Sequence, residues 1–234
     1  MSDAFTATLN ELERSADRPE RFSASFLDVF PITGVSVSTV GEVLGSETIS
    51  ATDELAARLD ELQFDLGEGP CWEALRTASA VTEPDFTRRG AVRWPSFASA
   101  VDRGAVASIF AFPLSVGELQ LGAIDLYSRS PVTLSPQQCT QATAMADVIG
   151  RHVLREALST SPEPDAENSP YSRRTVHQAT GVVLAQLDVD AEDALLMIQA
   201  RAFATGQSMM DVATAVVSGS LSFTRSDSGI EARS

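Results

Sequence analysis

The sequence predicts an α+β fold, with an antiparallel sheet flanked by helices in the first part of the chain and a small three-helix bundle at its end. Residues 34–50 and 107–128 alternate apolar with small or polar side chains around a glycine, which is the pattern of two hairpins. Residues 171–223 instead repeat the apolar spacing of an amphipathic helix three times. Because each of these short helices carries one apolar stripe, we expect the three to pack together.

The elements of the first part follow one another with clear breaks. The sequence first predicts a helix over 4–30 that Pro31 ends, and then the first hairpin, which turns at Gly41. A helix over 51–66 and a short helix that begins at Pro70 follow. A brief strand at 80–82, a loop over 86–94 and a short helix over 95–101 come next. The second hairpin turns at 116–118. Ser135 and Gln138 then form a capping box that begins a long helix reaching about Leu158.

Charge and composition restrict the function. The chain of 234 residues is long enough for two domains, and its 17 basic against 32 acidic residues give a formal net charge of -15. Contacts with nucleic acid or anionic lipid must therefore be local. The sequence has neither an apolar run of about 18 residues nor a secretion signal, which predicts a cytoplasmic protein. Cys71 and Cys139 are far apart and are expected to be free thiols.

Four short motifs give the first part of the chain a family resemblance. They are Asp65-Leu66-Gly67-Glu68-Gly69-Pro70-Cys71-Trp72, Glu83-Pro84-Asp85, Arg93-Trp94-Pro95-Ser96-Phe97, and Phe112-Pro113-Leu114 with Leu121-Gly122-Ala123-Ile124-Asp125-Leu126-Tyr127. Through them, residues 20–158 resemble a GAF domain of the form found beside ANTAR domains in actinobacterial regulators. The resemblance implies a sensor with a small-molecule pocket between the sheet and its outer helices. Residues 1–19 are then a helical extension in front of it.

Six side chains are the candidates for such a pocket, because aromatic walls with a few polar groups are typical of ligand sites. They are Cys71, Trp72, Arg93, Trp94, Phe110 and Phe112. The alternative is that the aromatic side chains only pack in the core. The cluster of Arg88, Arg89 and Arg93 either holds an anionic ligand or is solvated at the surface. Cys71 is either redox-sensitive or a buried, inert thiol.

The C-terminal segment carries a second resemblance, after a linker over 159–170 that is rich in Pro, Ser and acidic residues. Its motifs are Val176-x-x-Ala179-x-Gly181-Val182-Val183-Leu184, Ala194-Leu195, Ala202-Phe203-Ala204 and Asp211-Val212-Ala213-x-x-Val216-Val217. Residues 171–223 resemble an ANTAR domain, and residues 224–234 are expected to be a flexible tail. The resemblance implies a homodimer that binds paired stem-loops in leader RNA and prevents a terminator hairpin from forming, gated by the GAF domain.

The candidate RNA contacts lie in the first two helices of this segment. They are Arg173, Arg174, His177, Thr180, Gly181 and Arg201, with Gly181 allowing close helix packing or close approach of a backbone. Three arginines oppose five acidic residues in the segment, although RNA affinity depends largely on neutralising phosphates. The alternative is therefore an interaction or assembly domain that has lost RNA binding. This alternative is favoured if the arginines point to different faces of the domain.

Enzymatic functions are disfavoured by the residues present. His152 and His177 are the only histidines and fall in predicted helices of different domains, so neither a catalytic triad nor a His-based metal site is expected. Two distant cysteines do not provide the clustered set that methionine-sulfoxide-reducing GAF enzymes need. We expect a regulator without enzymatic activity or metal, and the sequence identifies no cofactor or ligand.

Overall fold

The computed structural model describes residues 3–40, 44–102, 104–159, 174–226 and 229–233. The chain divides into two compact units, Met1–Tyr171 and Ser172–Ser234. Within the described ranges, no helix is both long enough and apolar enough to cross a membrane.

The described part of the first unit is built around a five-stranded antiparallel sheet. Its strands are β1 (Gly34–Thr39), β2 (Glu47–Ala51), β3 (Val81–Glu83), β4 (Ser108–Val116) and β5 (Leu119–Ser128). They lie in the order β2-β1-β5-β4-β3. The antiparallel pairs β1–β2 and β4–β5 confirm the two predicted hairpins. The first turn, expected at Gly41, lies outside the described residues, while Gly117 turns the second hairpin with a φ of 62°.

Helices cover both faces of this sheet. They are α1 (Asp3–Glu13), α2 (Glu20–Leu27), α3 (Glu54–Leu66), α4 (Pro70–Thr77), α5 (Phe86–Arg93), α6 (Pro95–Ala100) and α7 (Pro136–Ser159). The predicted capping box at the start of α7 is confirmed. The backbone N–H of Gln138 donates to Ser135 Oγ, and the backbone N–H of Ser135 donates to Gln138 Oε1.

The two faces of the sheet bury two separate cores, because neighbouring residues of a strand point to opposite faces. On β4, Phe110 and Phe112 pack in the core formed with α1, α2 and α7. Ile109 and Ala111 pack on the other face, with α3, α4, α5 and α6. The position of each aromatic or aliphatic residue along β4 therefore determines the core in which it packs.

The N-terminal segment differs from the prediction in two ways. The helix expected over 4–30 is divided into α1 and α2, and Pro19, which has no backbone N–H, stands at the break. Residues 1–19, expected to be an extension, contribute the buried side chains of Phe5 and Leu12 to the same core as α7. The first helix is thus part of the folded unit.

Residues 86–94, expected to form a loop, instead begin with the helix α5. Phe86 at its start is buried, and its ring packs against the rings of Trp94 and Phe97. Burial of this aromatic side chain outweighs the low helix propensity of the glycine at position 90.

The second unit contains the three predicted helices, α8 (Arg174–Leu187), α9 (Ala191–Thr205) and α10 (Met209–Val217). Gly206 ends α9 with a φ of 66°, and Ser208 with Asp211 forms a capping box at the start of α10, which confirms the predicted break. The predicted apolar stripes meet in one core. Leu184 and Leu195 are exceptions, with exposures of 38% and 40%.

The end of the chain differs from the expected flexible tail over 224–234. Strands β6 (Ser222–Ser226) and β7 (Gly229–Arg233) form an antiparallel hairpin. Phe223 is buried in the core of the bundle, and its backbone N–H donates to Gln186 Oε1 of α8 at 2.8 Å. The hairpin therefore packs on the helices, held by an aromatic side chain just before the predicted tail.

Candidate functional site

The interface between α3 and the sheet contains a group of buried polar side chains. Gln63 Nε2 on α3 donates to Asp125 Oδ2 on β5 at 3.0 Å, and Gln63 Oε1 accepts the backbone N–H of Cys71 on α4 at 2.8 Å. Asp60, one turn earlier on α3, accepts a hydrogen bond from Thr48 Oγ1 on β2. The side chains of Asp60 and Gln63 are fully buried, and Asp125 is 4% exposed. One amide therefore connects α3, α4 and β5.

Asp125 has an unmet hydrogen-bonding requirement. Burial raises the pKa of its carboxyl group well above the ordinary value, the nearby Asp60 raises the pKa further, and the hydrogen bond from Gln63 opposes the shift. Among the described residues, Asp125 Oδ1 has no hydrogen-bond partner. The residue lies beside Ser36 and Tyr127 at a narrow gap that is too small to hold a water molecule. Because a buried acceptor without a donor is unfavourable, this arrangement favours the protonated carboxyl group of Asp125 over its carboxylate.

The six predicted pocket residues do not converge on one cavity. Cys71 is fully buried at the start of α4, and Trp94 is buried in the core beside α5 and α6. Phe110 and Phe112 lie on the opposite face of the sheet, in the core with α7. Trp72 is half-buried and donates its indole N–H to a backbone oxygen of α3 at 2.6 Å. The aromatic side chains of β4 therefore belong to a different core from Trp94.

The arginines of α5, including the sixth predicted pocket residue, are paired with carboxylates. Arg93 Nη2 lies 2.6 Å from Glu73 Oε1, and Arg93 Nη1 lies 3.2 Å from Glu83 Oε2. Arg89 Nε lies 3.5 Å from the same oxygen of Glu83. Arg88 is 84% exposed and lies 3.9 Å from an aspartate. Because these acids already neutralise the cluster, it has little positive charge left for an anionic ligand.

On α8, three of the candidate RNA contacts are exposed. Arg174, His177 and Gly181 are at the surface, and a Cβ added at Gly181 would meet no atom within 4 Å. Among the described residues, no helix therefore packs closely at that glycine. Thr180 is buried and donates its hydroxyl to the backbone of the preceding turn at 2.8 Å. Arg173 lies outside the described residues.

Arg201 is half-buried on α9, and its Nε has no hydrogen-bond partner among the described residues. The same stretch of chain is acidic, with Asp188 and Asp190 before α9 and Glu192 and Asp193 in its first turn. Acidic side chains at a helix N-terminus stabilise the helix through its dipole. They also lower the local potential for a polyanion, so RNA contacts depend on the few arginines.

The sequence prediction missed the buried polar group formed by Asp60, Gln63 and Asp125. A signal for it exists: Asp125 interrupts an otherwise apolar stretch of the predicted strand, and an ionisable residue at such a position is often functional. The partner residues could not be identified, because Gln63 and Asp125 are 62 positions apart in the chain.

Solved structures support the fold of the first unit. The GAF domain of a phosphoenolpyruvate-protein phosphotransferase from Acinetobacter superposes with a TM-score of 0.54 at 10% identity, covering 70% of this chain and all of that one. The corresponding domain from Coxiella burnetii gives 0.51 at 10% identity, covering 67% and 98%. At this identity the likeness shows the fold alone. No curated protein matches the sequence significantly.

Two family models match the chain in succession. The model of the GAF domain matches residues 8–153, which is more than half of the chain, and the model of the ANTAR domain matches residues 165–217. The sheet with its two helical layers is the fold expected of the first domain, and α8, α9 and α10 are the helical bundle of the second. The chain therefore belongs to the GAF domain family and, with its C-terminal ANTAR domain, is a GAF–ANTAR regulator.

Proposed function

We propose that this regulator is a homodimer that binds leader RNA through its ANTAR domain and reduces transcription termination in response to a signal at its GAF domain. The order of the two domains supports the proposal, with a sensing module ahead of an output module. A signal can act in this way only if it binds the two states of the protein with different affinity.

The observation that carries the proposal is an exposed line of residues on α8. Arg174, His177 and Gly181 recur at spacings of three and four residues, so they share one helix face. An arginine can form two hydrogen bonds to a phosphate. A glycine with open space above it lets a sugar-phosphate backbone approach the helix closely. Arg173, immediately before Arg174 in the sequence, adds a second positive charge.

The side chain of Arg201 is the second support. In the GAF domain, the guanidinium groups of Arg21, Arg58, Arg89 and Arg93 pair with carboxylates. Arg201, which is half-buried, is not among the arginines paired in this way within the described part of the chain. A phosphate that reaches its guanidinium group gains a charge-assisted hydrogen bond without displacing a carboxylate.

A second candidate function, assembly without RNA binding, is favoured by a different observation. On α9, Leu196 is 51% exposed and Phe203 is 74% exposed, and their spacing of seven residues places them on one helix face. Large apolar side chains exposed together mark interaction surfaces. In this alternative, the GAF signal controls a protein contact and not an RNA contact.

Transcription through a leader that encodes two adjacent stem-loops, the second overlapping a terminator, tests the proposal. The protein should increase the fraction of full-length transcript, and Arg174→Ala/Arg201→Ala should remove the increase. Arg88→Ala, which removes an exposed GAF-domain arginine, should behave as the wild type. If the wild-type protein leaves termination unchanged but forms a stable oligomer that Phe203→Ala dissociates, the assembly function replaces the proposed one.

A further inference from the structure

Phe203 on α9 carries the most exposed large apolar side chain in the described part of the second unit. Its ring is 74% exposed, whereas the other exposed large apolar side chains of that unit, such as Leu196 and Val217, are 36–51% exposed. The buried stripe of α9, which includes Ile198, lies on the opposite side of the helix. The ring of Phe203 is therefore presented to solvent and not to the core of the bundle.

The position of Phe203 along the bundle follows from the geometry of α8 and α9. Only residues 188–190 connect these helices, and both pack in one core, so they form an antiparallel hairpin. Val176 near the start of α8 and Ala202 near the end of α9 are both buried in that core. At about 1.5 Å per residue, Arg174 lies about 20 Å from the connection and Phe203 about 18 Å from it. Phe203 and Arg174 are therefore at the same end of the hairpin.

Charge is segregated along this hairpin. Arg174, His177 and Arg201 lie toward the end that carries Phe203. Asp211, which follows this end in the chain, is engaged in the capping box of α10. RNA phosphates are attracted to the end with the arginines and repelled from the connection, so a bound RNA places nucleotides close to Phe203. The acidic side chains of the hairpin lie at the connection and in the first turn of α9, and they are Asp188, Asp190, Glu192 and Asp193.

We propose that the ring of Phe203 is a stacking platform for one unpaired base in a loop of the bound RNA. This inference rests on the proposed RNA-binding function and names a feature that the domain recognises besides phosphates. Sequence-specific recognition of RNA relies on unpaired bases, which stack on aromatic side chains. Every base has a π face, so an exposed ring supplies affinity for a base without hydrogen bonds. Arg174 and Arg201 then neutralise phosphates while Phe203 holds the base.

A base fits this position better than a second protein surface does. A stable protein interface covers about 800 Å² on each partner. On the exposed face of α9, Leu196 lies seven residues from Phe203, about 10 Å toward the acidic connection, and the exposed residue between them at position 200 is only an alanine. One ring can be covered by one base. The surroundings of Phe203 therefore favour a contact of the size of a nucleotide.

Binding of the full chain to an RNA with two adjacent stem-loops tests the inference, with the loop nucleotides replaced one at a time by abasic ribose. One replacement should weaken binding to the wild-type protein about tenfold, which is the order of affinity that stacking on an aromatic side chain contributes. Phe203→Leu keeps an apolar side chain but removes the ring, and it should weaken binding of the intact RNA by a similar factor. The same variant should show no further loss with the RNA that lacks the stacked base, because both changes remove one contact.

Salt dependence and two further variants separate stacking from phosphate binding. Phe203→Leu should leave the slope of logarithmic affinity against logarithmic salt concentration unchanged, because it removes no phosphate contact. Phe203→Trp provides another aromatic face and should retain the affinity. Leu196→Ala, which truncates an exposed apolar side chain of the same helix face nearer the connection, should bind as the wild type does.

The inference is overturned if Phe203→Leu binds the intact RNA as tightly as the wild type, or if each abasic RNA loses the same factor with both proteins. It is also overturned if Phe203→Leu dissociates an oligomer of the RNA-free protein in sedimentation, since the ring is then a protein contact. RNA binding that Arg174→Ala/Arg201→Ala weakens but Phe203→Leu does not would leave the proposed function standing without this inference. Absence of RNA binding by the wild type would remove both.

Discussion

The guanidinium of Arg93 lies 3.2 Å from Glu83 Oε2, a carboxylate that is completely buried. The same arginine lies 2.6 Å from Glu73 Oε1 on α4 and 4.5 Å above the ring of Trp94. Arg93 thus connects α4, β3 and α5. Arg93 was predicted from the sequence to contact a ligand, and in the structure it forms ion pairs within the fold.

Arg93→Ala is expected to destabilise the GAF domain by about 3 kcal/mol, because it leaves a buried carboxylate without its closest positive partner. Denaturant unfolding followed by tryptophan fluorescence measures the loss. The matched substitution Arg88→Ala removes an 84% exposed side chain and should change stability by less than about 0.5 kcal/mol. Equal effects of the two substitutions would show that the pairing of Arg93 with Glu83 has no structural role.

Asp125→Asn is expected to stabilise the GAF domain at neutral pH. Burial and the nearby Asp60 raise the pKa of Asp125 in the folded state. At pH values between the pKa of the unfolded chain and that of the folded protein, the folded state therefore binds more protons than the unfolded state. The stability of the wild-type protein should fall as the pH rises above about 4. The variant has no carboxyl group at this position, so its stability should lack this pH dependence. Unfolding curves between pH 4 and 8 measure the difference, which should grow with pH. A variant less stable than wild type throughout this range contradicts the interpretation.

His152 on α7 is expected to make stability depend on pH in the opposite direction. Burial lowers its pKa, and Arg155 and Arg151 lower it further against the opposing effects of the Leu12 carbonyl and Glu13. The folded state then binds fewer protons, so stability should fall as the pH drops below about 6.5.

His152→Gln keeps a side-chain N–H that can donate to the Leu12 carbonyl, which lies 3.1 Å from His152 Nε2 in the native protein. The variant should lose the pH dependence between pH 6.5 and the folded pKa, whereas His177→Gln, at an exposed position of α8, should keep it. Parallel stability curves for wild type and His152→Gln over this range would rule out a contribution from His152.

Two glycine substitutions should have opposite effects. A Cβ at Gly122 would lie 1.9 Å from the backbone oxygen of Ser38, so Gly122→Ala should cost about 3 kcal/mol or more. A Cβ at Gly181 meets nothing within 4 Å, so Gly181→Ala should stabilise α8 by about 0.5–1 kcal/mol. If the RNA backbone approaches Gly181, that stable variant should bind RNA more weakly. Unchanged RNA affinity would remove Gly181 from the proposed contacts.

The sequence was sufficient to predict those elements whose ends are set by neighbouring residues. The capping box of Ser135 and Gln138 and the break at Gly206 depend on neighbouring residues, and the structure contains both. The helix α5 was missed because its formation depends on burial of Phe86 against residues that follow it. Phe223 likewise orders the final hairpin through a distant contact with α8.

The candidate site was less predictable than the fold. Phe110 and Phe112 are aromatic like Trp94, but they pack in the core with α7, whereas Trp94 packs in the core on the opposite face of the sheet. The positions of Phe110 and Phe112 along β4 determine which face they occupy. The interaction of Gln63 with Asp125 joins a helix to a strand far away in the sequence. Neither fact is available before the strands are paired, because composition does not specify which face of a sheet a side chain occupies.

Binding of the full chain to an RNA with paired stem-loops, measured across a range of salt concentrations, tests the central claim most directly. We expect specific binding whose logarithmic affinity falls linearly with the logarithm of salt. Arg174→Ala/Arg201→Ala should weaken binding and reduce the salt slope by about 2, one for each lost phosphate contact, while Arg88→Ala should leave both unchanged. Absence of binding at low salt, or an unchanged slope in the double variant, would contradict RNA recognition through these arginines.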